Sequence, residues 1–275
     1  MRPFNIVLVQ PAGYAHSQAF AEIAKLLLCS FRSLGIECKL QVNAFDLSAI
    51  NIILGYNVIS DPSAIPACDF VIYQLEQLFE RDGWFQPAHL AMYHRAREVW
   101  DYAQENIDFL GAKGIHNTRL LPIGFHEELR AIPSATRDID VLFYGSLNNR
   151  RRTVLEELAK RCKLTTLFGV YGDARDGWIA RSKVILNLHY YDTQIIEQPR
   201  VSYLLNNKRF VLSEESTVNP YGPGLVTAPY GQLIQACLSW LDRPADRDAM
   251  AEAGFEHFKS RPMTGFLGPV LRAFI

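Results

Sequence analysis

No stretch of this 275-residue sequence stays apolar for the ~18 residues that a membrane-spanning helix requires. Neither sign of charge is in excess: 28 lysines and arginines face 29 acids, for a net charge of -1. That balance gives no electrostatic footprint for a nucleic acid or an anionic membrane surface. Cysteine is sparse. Cys29, Cys38, Cys68, Cys162 and Cys237 are odd in number, widely spaced and free of any CxxC pattern, so a disulfide scaffold and a zinc ribbon are both excluded. Asn-x-Ser/Thr does not occur, and Met1-Arg2-Pro3 leads into an apolar strand rather than a signal peptide. The cysteines read as reduced core residues, and a soluble cytoplasmic protein is expected. The dinucleotide fingerprint GxGxxG and the P-loop GxxxxGK[ST] are both missing, and His126-Glu127-Glu128 lacks the second histidine of a zinc-protease helix. No short repeat or low-complexity segment appears.

What is present is ordinary globular material, 49% hydrophobic and 21% charged. The length suits one large domain or two of roughly 130 residues. Short apolar runs alternate with segments of helical period. Asn5 to Gln10 reads as the first strand, followed by the loop Pro11 to Ser17 and a helix from about Gln18 to Leu34. Phe20, Ile23, Ala24, Leu27, Leu28 and Phe31 form that helix's apolar stripe, and Gly35 caps it. Strands follow at Ile36–Val42, Asn51–Leu54 and Phe70–Tyr73, then a helix near Pro87–Arg95, a strand at Glu98–Trp100, a helix near Tyr102–Leu110 and a strand near Arg119–Leu121. Residues 125–138 have weak periodicity and read as a linker. The pattern then restarts, with strands near Asp140–Tyr144, Leu164–Phe168, Val184–His189 and Arg209–Ser213. Past Tyr230 the chain is helical, with Leu233, Ile234, Cys237, Leu238 and Leu241 on one stripe. Such alternation predicts parallel sheets covered by helices on both faces. The expected division is residues 1–124, a linker 125–138, and residues 139–275 including the C-terminal helices.

The segment after Tyr144 carries the sharpest chemical signal. Gly145-Ser146-Leu147-Asn148-Asn149 offers a turn and a helix N-cap, and the helix opens with Arg150-Arg151-Arg152. Three cations oppose a helix dipole that is positive at that end. An anion over the turn resolves the conflict, because helix N-termini bind phosphate through their free N–H groups. In open α/β sheets ligands bind beyond the carboxyl ends of the strands. In the second half those ends carry Gly145-Ser146, Phe168 to Gly172, His189-Tyr190-Tyr191 and Glu214-Glu215: glycines for backbone approach, aromatics for stacking, acids for hydroxyls. Pro199 is tolerated in a first helical turn and costly inside a helix, so a helix start or break falls near Gln198–Pro199, with Glu197 at the opening and Val201, Leu204 and Leu205 facing the core.

Tyr144-Gly145-Ser146, Phe168-Gly169-Val170-Tyr171-Gly172, Asn187-Leu188-His189-Tyr190-Tyr191 and the run from Glu197 to Ser213 together resemble the donor-binding half of GT-B glycosyltransferases, the bacterial group-1-like branch above all. Leu121 to Phe125 is similar to that family's inter-domain segment. The resemblance covers the second half well and the first in topology only. It implies two Rossmann-like α/β domains facing a cleft, and sugar transfer from a nucleoside-diphosphate donor in bacterial glycan synthesis. The donor is a substrate rather than a cofactor, and the acceptor is a glycan, lipid, protein or small molecule. By the same resemblance Gly145 and Ser146, with Arg150 or Arg151, face the diphosphate or sugar, and Arg200 is a further donor-binding candidate. Gly169, Val170 and Tyr171 meet the base, His189, Tyr190 and Tyr191 are donor-binding candidates, and the backbone after Tyr191 reaches a phosphate. Glu197 holds a donor hydroxyl. Many retaining relatives have a second glutamate seven residues later; here that position is Leu204, and Glu214 or Glu215 is the candidate replacement. No metal is implied. Asp138-Ile139-Asp140 spells the Asp-x-Asp of metal-dependent GT-A enzymes but lies at the start of a strand, away from the ligand edge, where capping is the expected role.

In the first half, Gly13 permits close approach to donor phosphates or acceptor. His16 is a candidate general base, since imidazoles as a class titrate near neutral pH. Glu76 and Asp101, at strand ends, are alternatives for taking the acceptor proton. Two other readings stay open: a GT-B nucleotide-sugar epimerase, and a non-catalytic sugar- or nucleotide-binding module of a larger assembly.

Overall fold

The computed structural model describes residues 2–79, 87–191 and 193–274. They form two compact units, one of residues 1–126 with 262–275 and one of residues 127–261.

In the first unit the strands are β1 (Phe4–Leu8), β2 (Cys38–Val42), β3 (Ile50–Leu54), β4 (Phe70–Gln74), β5 (Glu98–Asp101) and β6 (Thr118–Leu120). Between them lie helices α1 (Ala21–Ser33), α2 (Pro87–Arg95) and α3 (Gln104–Ala112). The sheet order is β2-β1-β3-β4-β5-β6, with every described pairing parallel. β1, β3 and β4 are buried along their whole length, as strands covered on both faces must be. Each fully buried Ile or Leu in such a sheet contributes about 1.5–3 kcal/mol relative to exposure. The helix expected from Gln18 starts later. Ala15–Phe20 is a 3-10 turn that swings Ser17 and Phe20 inward before α1 begins.

The second unit contains β7 (Ile139–Tyr144), α4 (Asn149–Ala159), β8 (Leu164–Leu167), α5 (Gly172–Ala180), β9 (Ser182–Asn187), α6 (Gln198–Asn206), β10 (Val211–Glu214), β11 (Val226–Ala228), α7 (Leu233–Leu241) and α8 (Pro244–Lys259). Its order is β11-β10-β9-β7-β8, again parallel. β11 was not anticipated; a three-residue strand between prolines and glycines is too short to show a period. On one face Val141, Phe143, Val184, Leu186 and Leu212 pack against Val154, Leu158, Leu233 and Cys237.

Both sheets therefore share one layout. The chain lays its first strand, steps to one side for the second, then crosses back to place the third on the other side. The reversal falls between β1 and β3 in one sheet and between β7 and β9 in the other. Such switch points leave a crevice at the carboxyl ends of the strands.

Two parts of the expected domain division need correction. The last helix, α9 (Met263–Leu271), belongs with the first unit and packs on α1. Gly124 N–H points at Met263 Sδ over 3.3 Å, and the Phe274 ring meets Phe4 and Trp100 at 5.8 and 6.0 Å. The expected linker is also no loose tether from Glu127 on. Asn207 Oδ1 accepts from Ala131 N–H and Ile132 N–H, its Nδ2 donates to Leu129 O, and Arg209 donates to Ile132 O and Pro133 O. Side-chain bonds to backbone hold this segment, so it shows no apolar period.

Candidate functional site

The carboxyl ends of β7 and β9 flank the second switch point, and charged side chains gather there. Gly145, just past β7, has φ +132°, a conformation L side chains rarely adopt. A Cβ at Gly145 would lie 2.7 Å from Arg200 Nη2 and 3.6 Å from Arg151 Nη1. Two guanidinium groups thus converge over the space this glycine leaves open.

Each arginine is delivered by a helix start. Asn148 caps α4, its Oδ1 accepting from Arg151 N–H at 2.9 Å, while Asn148 Nδ2 donates to Tyr190 O. Arg151 is 3% exposed. It donates to Ser146 O at 2.8 Å and to Leu188 O, stands 3.4 Å from Glu197 Oε1, and lies under the Tyr190 ring. Burial and the neighbouring Arg200 charge bring its pKa down to about 10, so the guanidinium remains protonated at neutral pH. Arg200 sits in the first turn of α6, behind Pro199, and stacks on Tyr144. Its Nη1 donates to Asn187 Oδ1 at 2.9 Å. Among the described residues no carboxylate lies within ion-pair distance of Arg200.

Arg150 has a different fate. It is gripped through both nitrogens by Glu214, 1% exposed, and lies 4.0 Å from the Tyr230 ring centre. Arg152 is exposed. The three cations that look alike in sequence are a half-buried strut, a buried and converging site group and a surface charge.

Glu197, immediately before α6, accepts from Asn187 Nδ2 at 2.8 Å and stands 3.2 Å from His189 Nδ1. Burial raises its pKa, yet His189, Arg200 and Arg151 together pull it down to about 2, so it is a fixed anion. His189 is fully buried, with Nε2 3.1 Å from Glu215 O and 2.9 Å from Ser216 Oγ. A carbonyl can only accept, so Nε2 carries a proton. Burial lowers the His189 pKa, but Glu197, Glu214 and the Glu215 carbonyl raise it overall. Arg150, Arg151 and Arg200 against Glu197 and Glu214 leave one positive charge before His189 is counted. Among the described residues the cluster is thus a net cation, suited to an anion.

The remaining sequence candidates are placed as follows. Ser146 is exposed and takes part through its carbonyl. Tyr190 and Tyr191 contact each other edge to face at 4.8 Å. The backbone expected to reach a phosphate after Tyr191 begins with Asp192, outside the described residues. Gly169, with φ +70°, Val170 and Tyr171 lie in the loop between β8 and α5. Glu215 has an exposed side chain and serves His189 through its carbonyl. Glu214 cannot replace the missing second glutamate, since Arg150 and His189 N–H occupy both its oxygens. Leu204 itself is core.

In the first unit, Gly13 (φ +75°) and His16 lie on the turn after β1, with His16 edge to face with Tyr14 at 5.3 Å. Burial and the Glu76 charge raise the Tyr14 phenol, so Glu76 belongs to the same neighbourhood. Asp101 does not. It is fully buried, accepts from Ala103 N–H, Asn106 and Gln74, and caps the turn into α3; a group so enclosed cannot take a proton from a substrate. Asp140, at the start of β7, accepts from Lys163 N–H and pairs with Lys183, at the opposite end of the strand from Gly145.

Asn187, Tyr144 and Glu214 belong to the cluster yet carried no assigned role from sequence, apart from the rejected part for Glu214. The signal for Asn187 was available: a lone amide closing the apolar run Val184-Ile185-Leu186.

Comparisons with known proteins agree with this architecture. No family model matches the chain. Two relatives are proteins of Acanthamoeba polyphaga mimivirus named only as uncharacterized, L138 (32% identical over 115 residues) and L137 (30% over 159 residues). These matches take in 38% and 52% of this chain but only 13% and 21% of the relatives' lengths. Among solved structures, Anabaena HepE in complex with UDP-glucose superposes with a TM-score of 0.64 at 9% identity, covering 99% of this chain and all of HepE. Sucrose-phosphate synthase from Thermosynechococcus elongatus gives 0.62 at 10% identity, covering 100% and 99%. TarM gives 0.60 at 11% identity, covering 90% of this chain and 58% of TarM. Among the described residues no helix is long and apolar enough to cross a membrane. With two parallel sheets of six and five strands and these neighbours, the chain has the GT-B fold.

Proposed function

We propose that this chain is a glycosyltransferase that moves a sugar from a nucleoside-diphosphate donor to a hydroxyl-bearing or similar acceptor. The observation that carries the reading is the convergence of Arg151 and Arg200 over Gly145 at the second switch point. In the reaction the bond from the anomeric carbon to the diphosphate breaks, a bond to the acceptor oxygen forms, and negative charge builds on the departing diphosphate. Preorganised cations at that place stabilise the transition state by several kcal/mol. Arg151, Arg200 and the start of α4 supply them, so the reading has no resident metal in it. Glu197 orients a donor hydroxyl while keeping Arg151 and His189 in place. The acceptor is a glycan, lipid, protein or small molecule. Glu76 and His16 are the candidates to take its proton, and the buried Asp101 is withdrawn. Support for a nucleotide-sugar donor comes from HepE, solved with UDP-glucose. The matched sequence relatives are viral, so the reading concerns sugar transfer itself rather than bacterial glycan synthesis.

A thermal-shift screen across UDP, GDP, dTDP and ADP identifies the base, since a ligand that binds the folded state raises its melting temperature. Arg200→Ala is then expected to weaken the best diphosphate roughly 10–100-fold, the scale of losing one charge-assisted contact. Unchanged affinity in that variant overturns the assignment.

A further inference from the structure

We infer that Asn187 is a positioning residue that aims Arg200 at the donor diphosphate without discharging it. The inference rests on the proposed donor site and deepens it.

Asn187 is the last residue of β9 and is fully buried, so it acts through neighbours rather than by touching a ligand. Its hydrogen bonds run in one direction. Ser213 Oγ donates to Glu214 O at 2.9 Å and is left to accept. Asn187 Nδ2 donates to that oxygen at 3.0 Å and to Glu197 Oε2 at 2.8 Å. Asn187 Oδ1 is thereby turned toward Arg200 and accepts from Nη1 at 2.9 Å. Reversing the amide would set its N–H groups against a guanidinium and its oxygen against a carboxylate. The orientation is determined by the partners.

With Nη1 held, Nη2 is the nitrogen that reaches over Gly145. A guanidinium is a rigid fork, so fixing one prong fixes the other. An acid at this position would hold Arg200 equally well but would cancel its charge and stand against Glu197. A shorter side chain could not span Arg200 and Glu197 together. A buried amide is the group that orients a cation while leaving its full charge for an incoming anion.

The test uses Asn187→Ala, Arg200→Ala and the double variant. Each is titrated calorimetrically with the tightest binder among UDP, GDP, dTDP and ADP, and with the matching nucleoside. Asn187→Ala is expected to weaken the diphosphate about tenfold, the scale of one hydrogen bond to a charged group, and to leave the nucleoside unchanged. The double variant should bind no more weakly than Arg200→Ala alone, because an orienting residue has nothing to orient once the arginine is gone. Losses that multiply in the double variant, or parallel loss of nucleoside and diphosphate, overturn the inference and leave the donor site standing. An Arg200→Ala protein that binds like the parent overturns both. Should the alanine variant not fold, Asn187→Ser carries the same test, keeping a polar group too short to bridge Arg200 and Glu197.

Discussion

The two sheets of this chain share a strand order and a switch point, yet their tips carry opposite chemistry. Beyond β4 and β5 the first unit gathers neutral amides around one enclosed acid: Gln74 and Asn106 donate to Asp101 and also to Glu76 O. Beyond β7 and β9 the second unit gathers arginines and a histidine around two glutamates, with positive charge to spare. What a strand tip carries depends on a few residues at strand ends and helix starts, which is why a fold by itself does not name a function.

The contrast can be broken at several points. Asp101→Ala should have the largest effect on stability, about 3 kcal/mol, because donors buried around that carboxylate lose an acceptor. Chemical denaturation would measure it, and diphosphate affinity in the folded fraction should stay at the parent value. In the second unit Gly145→Ala should do the reverse. A side chain at φ +132° and 2.7 Å from Arg200 Nη2 displaces the guanidinium, for about a tenfold loss of diphosphate affinity and roughly 1 kcal/mol of stability. Equal affinity for parent and variant would refute the placement of the anion.

The pH dependence should report on the second tip. His189 titrates above its ordinary 6.5, so its stabilising charge is fully present below that value and is lost as pH rises through the higher folded-state pKa. Glu197, lowered from 4.5 to about 2, contributes stability above 4.5 that is lost as pH falls toward 2. Melting temperature followed from pH 3 to 9 should therefore decline on both sides of a plateau set by these groups. His189→Gln should remove the alkaline decline that this residue causes. A parent-like alkaline limb in that variant would show that another group governs it. The smallest effect belongs to Arg152→Ala. An exposed arginine beside two engaged ones should change stability by no more than ~0.5 kcal/mol and leave nucleotide affinity unmoved.

The alternation of strand and helix was readable because β1, β3, β4, β7 and β9 are buried over most of their length and appear as near-continuous apolar runs. β11 and the Glu127–Leu129 turn escaped notice, being held by pairing or by the Asn207 side chain rather than by a periodic face. In the candidate site, Gly145, Arg151, His189, Glu197 and Arg200 could be named from local pattern and resemblance together. Arg150 could not be told from Arg151. The difference lies 64 residues away in Glu214, which takes one arginine and leaves the other to turn toward Gly145.

Sequence by itself determined the parallel α/β construction, a helix cap within Gly145–Asn149, the helix start at Pro199 and the glycine after β7, since each follows from local sterics or from burial of an apolar run. Only the tertiary structure decided which charges cancel and which remain, that Asp101 is enclosed, and that α9 returns to the first unit. Those outcomes depend on distances between residues far apart in the chain, and at a few ångströms inside a weakly polarisable interior such distances set the energy of every charge.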